Sequence, residues 1–330
     1  MRMTGAGTHD RLKLRIVAAF AAIYLIWGST YLAIRIGIET IPPLLMAGIR
    51  FTSAGGLLYA WARRRSGERL SLVHWRSAAI IGVALLCISN GGITWSEQRI
   101  PSGITALMAA TVPLWIVVME WLFHGGARPR RGVAAGLILG FVGIFLLVGP
   151  DQIFGRKALD LGSIGVLMVA AISWANGSLY SRRAVLPGSQ LLATSMEMLA
   201  GGAALFVVSL VSGETSHVQL AAISLRSWLA VGYLALFGSI IGFTAYVWLL
   251  RVTAVSRVAT YAYVNPVIAI MLGWAFAGEQ LNSHVVAAAG VIVLAVVLII
   301  RSQPGTKKQA DGFAREIPHR PVVEKEFVGK

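Results

Sequence analysis

Ten stretches of sixteen to twenty-four residues with almost no charge recur along this 330-residue chain: 16–34, 44–62, 77–95, 102–123, 132–149, 161–180, 190–212, 227–250, 258–277 and 285–300. A helix needs about 20 mostly apolar residues to cross a hydrocarbon core of about 30 Å, so each is read as a membrane span. The last is short and is expected to begin nearer Leu281. Barrel strands would alternate over about ten residues instead, so the fold class is an all-α integral membrane protein with ten transmembrane helices. Only 13% of the chain is charged, against about 25% in a soluble domain. That excludes a water-soluble globule, and the apolar content excludes a disordered chain. The apolar stretch behind the basic arm (Arg2, Arg11, Lys13, Arg15) runs from Ile16 to Ile34. It outlasts a signal-peptide core of about 7–15 residues and is read as a retained first span.

A formal charge of +15 invites a nucleic-acid reading, but that needs a contiguous basic stripe on a soluble module. Here the cations fall in short clusters between spans, where they set topology. One alternate set of loops holds 23 of the 29 Lys and Arg: the N-terminal arm, Arg63, Arg64, Arg65, Arg69 and Arg76, then Arg128, Arg130 and Arg131, Arg182 and Arg183, Arg251 and Arg257, and the C-terminal tail. The other set holds Arg35, Arg99, Arg156, Lys157 and Arg226. Both termini are therefore expected on the cytoplasmic side of a plasma membrane, which an even number of spans permits. The tail 302–330, with three prolines and mixed charge, is expected to be disordered.

The two halves repeat each other. Gly28-Ser29-Thr30-Tyr31 matches Gly177-Ser178-Leu179-Tyr180, Leu44-Leu45 before Arg50 matches Leu191-Leu192 before Glu197, and Pro113 matches Pro266, at offsets of 149, 147 and 153. Five spans per half is an odd number, so the second copy must lie upside down. The expected organisation is an arm 1–15, a first repeat 16–150, a non-cytoplasmic linker 151–160, a second repeat 161–301 and the tail. Inverted repeats are characteristic of secondary transporters, whose substrate site lies near the midplane between them. Two similar halves can rock between two nearly equivalent packings and open the site to one face at a time.

Ile26-Trp27-Gly28-Ser29-Thr30-Tyr31, Arg50-Phe51, the run from Val231 to Ser239 and Tyr261-Ala262-Tyr263-Val264-Asn265-Pro266-Val267 resemble the EamA family of the drug/metabolite transporter superfamily, in its YedA-like subgroup of inner-membrane exporters. The likeness runs from about residue 15 to 300. It implies ten helices in two EamA repeats and export of small metabolites, amino acids or xenobiotics, without fixing which.

Arg50, Glu120 and Glu197 are the charged side chains strictly inside the spans. A charge at the bilayer centre costs at least about 2.5–3.5 kcal/mol, so each is expected to face protein or water. Arg50 and Glu197, at matching places in the repeats, have two readings. They form a salt bridge tying the repeats together, or Arg50 grips a substrate carboxylate with its planar fork while Glu197 takes an amine or protons. Glu120, near His124, is read as a solvated span end, and Glu97 and Glu279 as solvated or at a vestibule mouth. Ser29, Asn90, Thr94, Asn176, Ser178 and Asn265 are candidate cavity-lining polar groups; Asn90 and Thr94, four apart, share a helix face. Trp27, Tyr31, Trp174 and Tyr263 are candidate aromatic lining, whereas Trp61, Trp75, Trp95 and Trp228 suit interfacial anchoring. Pro113 and Pro266 remove backbone donors mid-span and are candidate gating hinges. Gly132, Gly136 and Gly140 recur every four residues in span 5, a row that draws a neighbouring helix close. That row marks scaffold and a candidate homodimer contact.

Rival classes find little support. Cys87, the single cysteine, excludes an intrachain disulfide and is read as a packing residue. All six histidines lie outside the spans, so no intramembrane metal centre is expected, and no Gly-x-Ser-x-Gly, His-Glu-x-x-His or Walker motif occurs. No cofactor and no enzymatic activity are expected. The expected function is export of amino-acid-like or drug-like solutes with the lipid bilayer and a small substrate as partners. A membrane-embedded enzyme and a channel are the alternatives, and within transport so are passive flow and exchange.

Overall fold

The computed structural model describes residues 6–123, 131–148, 160–253, 255–258, 260–280 and 283–302, and these form helices and short connections without a strand among them. The helices gather into ten rods at the places the apolar stretches predict: α1 (Ala6–Gly37), α2 (Pro43–Arg65), α3 (Leu72–Ser96), α4 (Ser102–Phe123), α5 (Arg131–Val148), α6 (Leu161–Ser181), α7 (Gln190–Val211), α8 (Leu225–Val252), α9 (Tyr261–Ala277) and α10 (Ser283–Ser302). Six of them are long and apolar enough to cross a membrane: α1 from Leu12, α3, α4, α6, α7 and α8. Of the rest, α2 carries Arg50 and the Arg63–Arg65 run, and the apolar parts of α5, α9 and α10 are shorter. The chain is already helical at Ala6, within the expected arm and ahead of the apolar segment that starts at Leu12. Hydropathy marks where lipid would begin, not where backbone hydrogen bonding stops. The linker residues 151–159 and the tail from 303 lie outside the described residues.

Local chemistry sets many of the starts. Ser71 and His74 form a capping box at α3, Asp160 accepts from the Ser163 backbone N–H at α6 (3.1 Å), and Ser224 does the same for Ser227 at α8 (3.1 Å). Pro42 and Pro43 open α2, where a missing N–H loses nothing. Gly278 closes α9 with φ of 66°, a left-handed residue that favours glycine.

Two rods are not plain α-helix. Residues Val83–Asn90 of α3 and Leu234–Phe243 of α8 wind as π-helix, at matching places in the two repeats. Such wide turns are rare and frequently mark functional sites. Span 4 is interrupted at 110–111 and resumes at Val112, with Pro113 in the first turn of its second half, whereas Pro266 sits inside an unbroken α9. The paired hinges expected from sequence therefore differ in form. One proline lies where helix termini tolerate it; the other frees the Ala262 carbonyl within a continuous rod.

The long α2 and α7 pack against each other and run antiparallel, as inverted copies must. The chain leaving α2 brings Glu68 to the start of α7, where its carboxylate accepts from the Gly188 and Ser189 N–H groups (2.8 and 3.1 Å). The chain leaving α7 brings Glu214 to the start of α2, where it accepts from Leu44 and Leu45 (3.0 and 3.1 Å). Each copy thus caps the other's second helix, at opposite ends of the bundle. Gly82 of α3 and Gly201 of α7 let those two backbones touch, and a Cβ at Gly82 would overlap the Glu197 carbonyl.

The rods α5 and α10 lie together at one side. Gly132 and Gly140 of the small-residue row meet Ser302 and Leu114, and nearby Gly143 meets Ile292. These two glycines of the row thus pack within this chain. Outward-facing side chains such as Val17, Leu57, Val207 and Leu294 are exposed and apolar, as a lipid-facing surface requires. Trp61 and Trp95 lie under the guanidinium groups of Arg65 and Arg99 (4.4 and 4.8 Å to the ring centres), near opposite ends of the rods. Those ends differ in charge: Arg63, Arg64, Arg65, Arg76, Arg131, Arg182, Arg251 and Arg301 collect at one, and Glu39, Glu97, Asp160, Glu214 and Glu279 at the other, beside Arg35, Arg99 and Arg226.

Candidate functional site

Near the middle of the rods lies a cavity of about 60 Å³, walled by α1, α2, α3 and α4 of the first repeat and α6, α8 and α9 of the second. Space on that scale holds a few waters, so a metabolite requires the rods to part. Its polar wall is Thr30, Tyr31, Arg50, Ser89, Asn90 and Asn265, and its aromatic wall is Trp27, Trp174, Phe51, Phe243 and Tyr261.

Arg50 is 3% exposed. Its Nε donates to Ser239 Oγ on the π segment of α8 (2.8 Å), and the guanidinium stacks over Phe51 at 4.6 Å. Gly238 makes room for it, since a Cβ there would stand 2.8 Å from Nη2. The two terminal nitrogens make no hydrogen bond to protein among the described residues, and no carboxylate lies within salt-bridge reach. A buried cation in this state leaves its forked donor set for whatever enters the cavity.

Toward the arginine-rich end the cavity is bordered by a cluster of packed rings. Trp27 contacts Trp174, Tyr246 and Tyr261 with centroids 5.0–5.5 Å apart, in tilted and edge-on arrangements that suit ring quadrupoles. Trp174 Nε1 donates to the Tyr246 hydroxyl (2.9 Å), which also pairs with Ser178 Oγ (2.6 Å), so the buried polar tips are satisfied. Trp27 Nε1 donates to the Gly238 carbonyl (3.1 Å), and Ser173 Oγ donates to the Ala84 carbonyl (2.8 Å). In each repeat, then, the first rod bonds to a carbonyl in the other repeat's π segment. Below these rings Tyr24 and Thr260 share a hydrogen bond of 2.5 Å. The Asn265 amide, oriented so that its nitrogen donates to the Tyr24 and Tyr261 carbonyls (3.0 and 3.3 Å), ties α9 to α1.

Of the candidate residues, the fold brings Trp27, Tyr31, Arg50, Asn90, Trp174 and Asn265 to the cavity. Four others are placed elsewhere. Ser29 faces Tyr233 (2.6 Å), Thr94 donates back to the Asn90 carbonyl (2.8 Å), Asn176 donates to the Ile172 carbonyl (3.1 Å), and Ser178 supports Tyr246 behind the rings. The side chain of Tyr263 lies outside the described residues. Glu197 is fully buried on α7, its carboxylate has no hydrogen-bond partner, and it is not on the cavity wall. Arg50 and Glu197 form no salt bridge, because they face different neighbours: Ser239 for one, the side of Arg251 for the other. Glu120 is exposed as expected, but Glu97 is fully buried rather than solvated. Glu279 caps α4, accepting from Ser102 N and Oγ (2.8 and 2.7 Å) and Gly103 N (3.2 Å). Cys87 is half-buried in the first π segment.

Sequence reasoning passed over Phe51, Leu86, Gly238 and Phe243 as lining. Hydrophobic side chains carry no signal separating cavity from core. Gly238, which precedes the buried partner of an intramembrane arginine, is the one position whose neighbourhood hints at its place.

The EamA-like transporter family matches residues 14–149 and 161–301. The chain is 44% identical over 291 residues to the uncharacterized inner membrane transporter YedA of Escherichia coli K12, covering 88% of this chain and 92% of that one. It is 23% identical to the uncharacterized transporter YoaV of Bacillus subtilis, covering 86% and 96%. A solved crystal structure, 22% identical, superposes with a TM-score of 0.62 over 86% of this chain and 96% of its own, which speaks for a shared fold. By its family match and its relatives, this protein is a membrane transporter and belongs to the EamA-like transporter family.

Proposed function

We propose that the protein exports small organic solutes that carry a carboxylate, amino-acid-like or drug-like, by alternating access between two inverted repeats. In this reading all ten rods cross the bilayer, and the arginine-rich end and both termini face the cytoplasm. The single observation that carries it is the central cavity drawn from both repeats, with Arg50 on its wall holding donors that no protein group uses among the described residues. Arg50 receives the carboxylate, Asn90 and Tyr31 meet the polar remainder, and Trp27, Trp174 and Tyr261 pack the apolar part. The small volume corresponds to an occluded state, closed by rings on one side and by helix caps on the other. Pro113 and Pro266 are the points about which α4 and α9 bend when it opens.

The test is reconstitution into liposomes with a metabolite panel in which each carboxylate is paired with its amide, with and without a pH gradient. Uptake or efflux of acids over their amides, lost in Arg50→Ala, is the expected result. Movement of no solute in the panel would remove the transport mechanism proposed here, and indifference to the carboxylate would remove the role of Arg50.

A further inference from the structure

Glu97 stands just beyond the apolar segment Leu72–Ser96, at the carboxylate-rich end of the bundle. It is 0% exposed, and neither carboxylate oxygen has a hydrogen-bond partner among the described residues. An ionised carboxylate left so would lose its hydration without replacement, which costs far more than binding a proton. The groups around it make the point sharper. Arg35 of α1, the nearby cation, spends its Nη1 on the Glu97 backbone carbonyl and not on the carboxylate. Glu279, arriving after α9, is already committed to the start of α4 and adds a like charge. Tyr31, one turn below Arg35, links this place to the cavity wall. On the outer side Arg99 and Asp160 lie 4.0 Å apart, both well exposed, and Arg50 lies deeper. Burial, then Glu279, hold the Glu97 carboxyl well above the usual range, against the pull of Arg35.

The rods are tied together around Glu97: Arg35 of α1 donates to its backbone carbonyl, Glu279 caps α4, and Ser96 donates to the Ser163 carbonyl of α6 (3.3 Å). We infer that Glu97 is a proton-binding site coupled to the gate at this end, taking one proton from the facing solution as the rods close and releasing it as they part. The step is a simple protonation: a carboxylate oxygen and a proton from water form one O–H bond, and nothing is oxidised. The inference deepens the transport reading and rests on it for the idea that this end opens, but its test needs no substrate. Low pH on this face would hold the gate shut, and high pH would favour opening.

The test uses the full-length protein in lipid nanodiscs with Cys87→Ser and a reporter, Ile100→Cys, at a position 0% exposed in the closed end. An impermeant maleimide labels the reporter, and its rate at each pH is divided by that of the denatured protein, which removes the intrinsic thiolate effect. The normalised rate is expected to rise at least about tenfold from about pH 5 to about pH 9, to stay low and flat in Glu97→Gln, and to keep its rise in Glu97→Asp. A flat profile in the Cys87→Ser/Ile100→Cys protein, or an unchanged rise in Glu97→Gln, overturns the inference. Infrared titration of Glu197→Gln, which removes the other buried unpartnered carboxyl, supplies a second readout if the Glu97→Gln variant does not fold: a protonated-carboxyl band persisting at neutral pH supports it, and its absence overturns it. A failed profile beside intact liposome transport would sink this inference alone. A pH-gated profile beside failed transport would leave it standing and sink the function proposed above.

Discussion

Arg50 on α2 and Glu197 on α7 occupy matching turns of two helices that pack antiparallel, yet their surroundings have little in common. Arg50 is held by one serine and one ring, with its remaining donors on the cavity. Glu197 is sealed in packing without a hydrogen bond. Their backbones, by contrast, share several devices. Both repeats place a π segment in the third rod, both bond that segment to the other repeat's first rod, and both send a glutamate to cap the partner's second helix. In the proposed carrier the duplication is kept where the bundle exchanges two packings, and abandoned where the solute is gripped. An alternating carrier needs symmetric mechanics, but its binding group need be present only once.

The sharpest way to break that contrast is to neutralise each charge in turn. Arg50→Ala is expected to reduce transport of a carboxylate substrate by about 10- to 150-fold, the equivalent of losing a charged hydrogen bond of about 1.5–3 kcal/mol. Arg50→Lys recovers part of it, since an ammonium keeps the charge but not the fork. Glu197→Gln is expected to leave initial rates within about twofold, because its carboxylate does not reach the cavity. Liposome flux under identical gradients measures all three. Equal losses in Arg50→Ala and Glu197→Gln would place the two charges in one site and undo the comparison.

A second break concerns the shared mechanics. Gly82 and Gly201 allow α3 and α7 to touch backbone to backbone. Gly82→Ala is expected to destabilise the folded protein by about 1–3 kcal/mol, as overpacking does, whereas Gly232→Ala, where a Cβ meets nothing within 4 Å, is expected to be neutral. Thermal aggregation in detergent gives both. Similar behaviour of the two would mean that α3 can move away from α7 without penalty.

These outcomes bear on what a sequence can reveal. Run length was enough to place ten rods, most of them to within a few residues although α1 starts ten residues before its apolar stretch, because apolarity over about 20 residues has a single physical cause. Arg50 was legible for the same reason: a cation in an apolar run must be served by something. Glu97 was misread because its apolar neighbours end one residue earlier, and its burial comes from tertiary packing that no local pattern records. The π segments left no mark, since Val83–Asn90 reads as ordinary apolar helix and the extra residue per turn is set by what packs against it. Ser29 and Ser178 looked equivalent in sequence, but one meets Tyr233 and the other Tyr246, partners supplied by tertiary structure alone.

The reciprocal caps offer a finer test. Glu214→Ala frees the Leu44 and Leu45 N–H groups, and Glu68→Ala frees those of Gly188 and Ser189. A side-chain cap is worth about 0.5–2 kcal/mol, so each loss is expected to shift the balance between the two openings about two- to thirtyfold, in opposite directions. Reporter cysteines at Ile41 and at Ala62, both buried and near opposite ends of α2, would show it: Glu214→Ala raises labelling at Ile41→Cys, and Glu68→Ala raises it at Ala62→Cys. Movement of both reporters in the same direction would mean loosening, not alternation.

The smallest effect is the pH dependence of the Glu68 cap. The Gly188 and Ser189 backbone donors hold the Glu68 carboxyl below the usual carboxylate range, against a slight opposing effect of burial. A lowered value in the folded state means that the cap contributes fully above the ordinary range near about pH 4.3 and is lost as pH falls through the lower value of Glu68. The melting-temperature gap between the unmutated protein and Glu68→Ala should therefore be constant from neutral pH down to about pH 5 and narrow below it. Solvent screening keeps it small throughout, since Glu68 lies near the surface. A gap that widened on acidification would mean that the uncharged carboxyl makes the better cap, and Glu68 would then lock the arginine-rich end most firmly at low pH, the reverse of the order expected here.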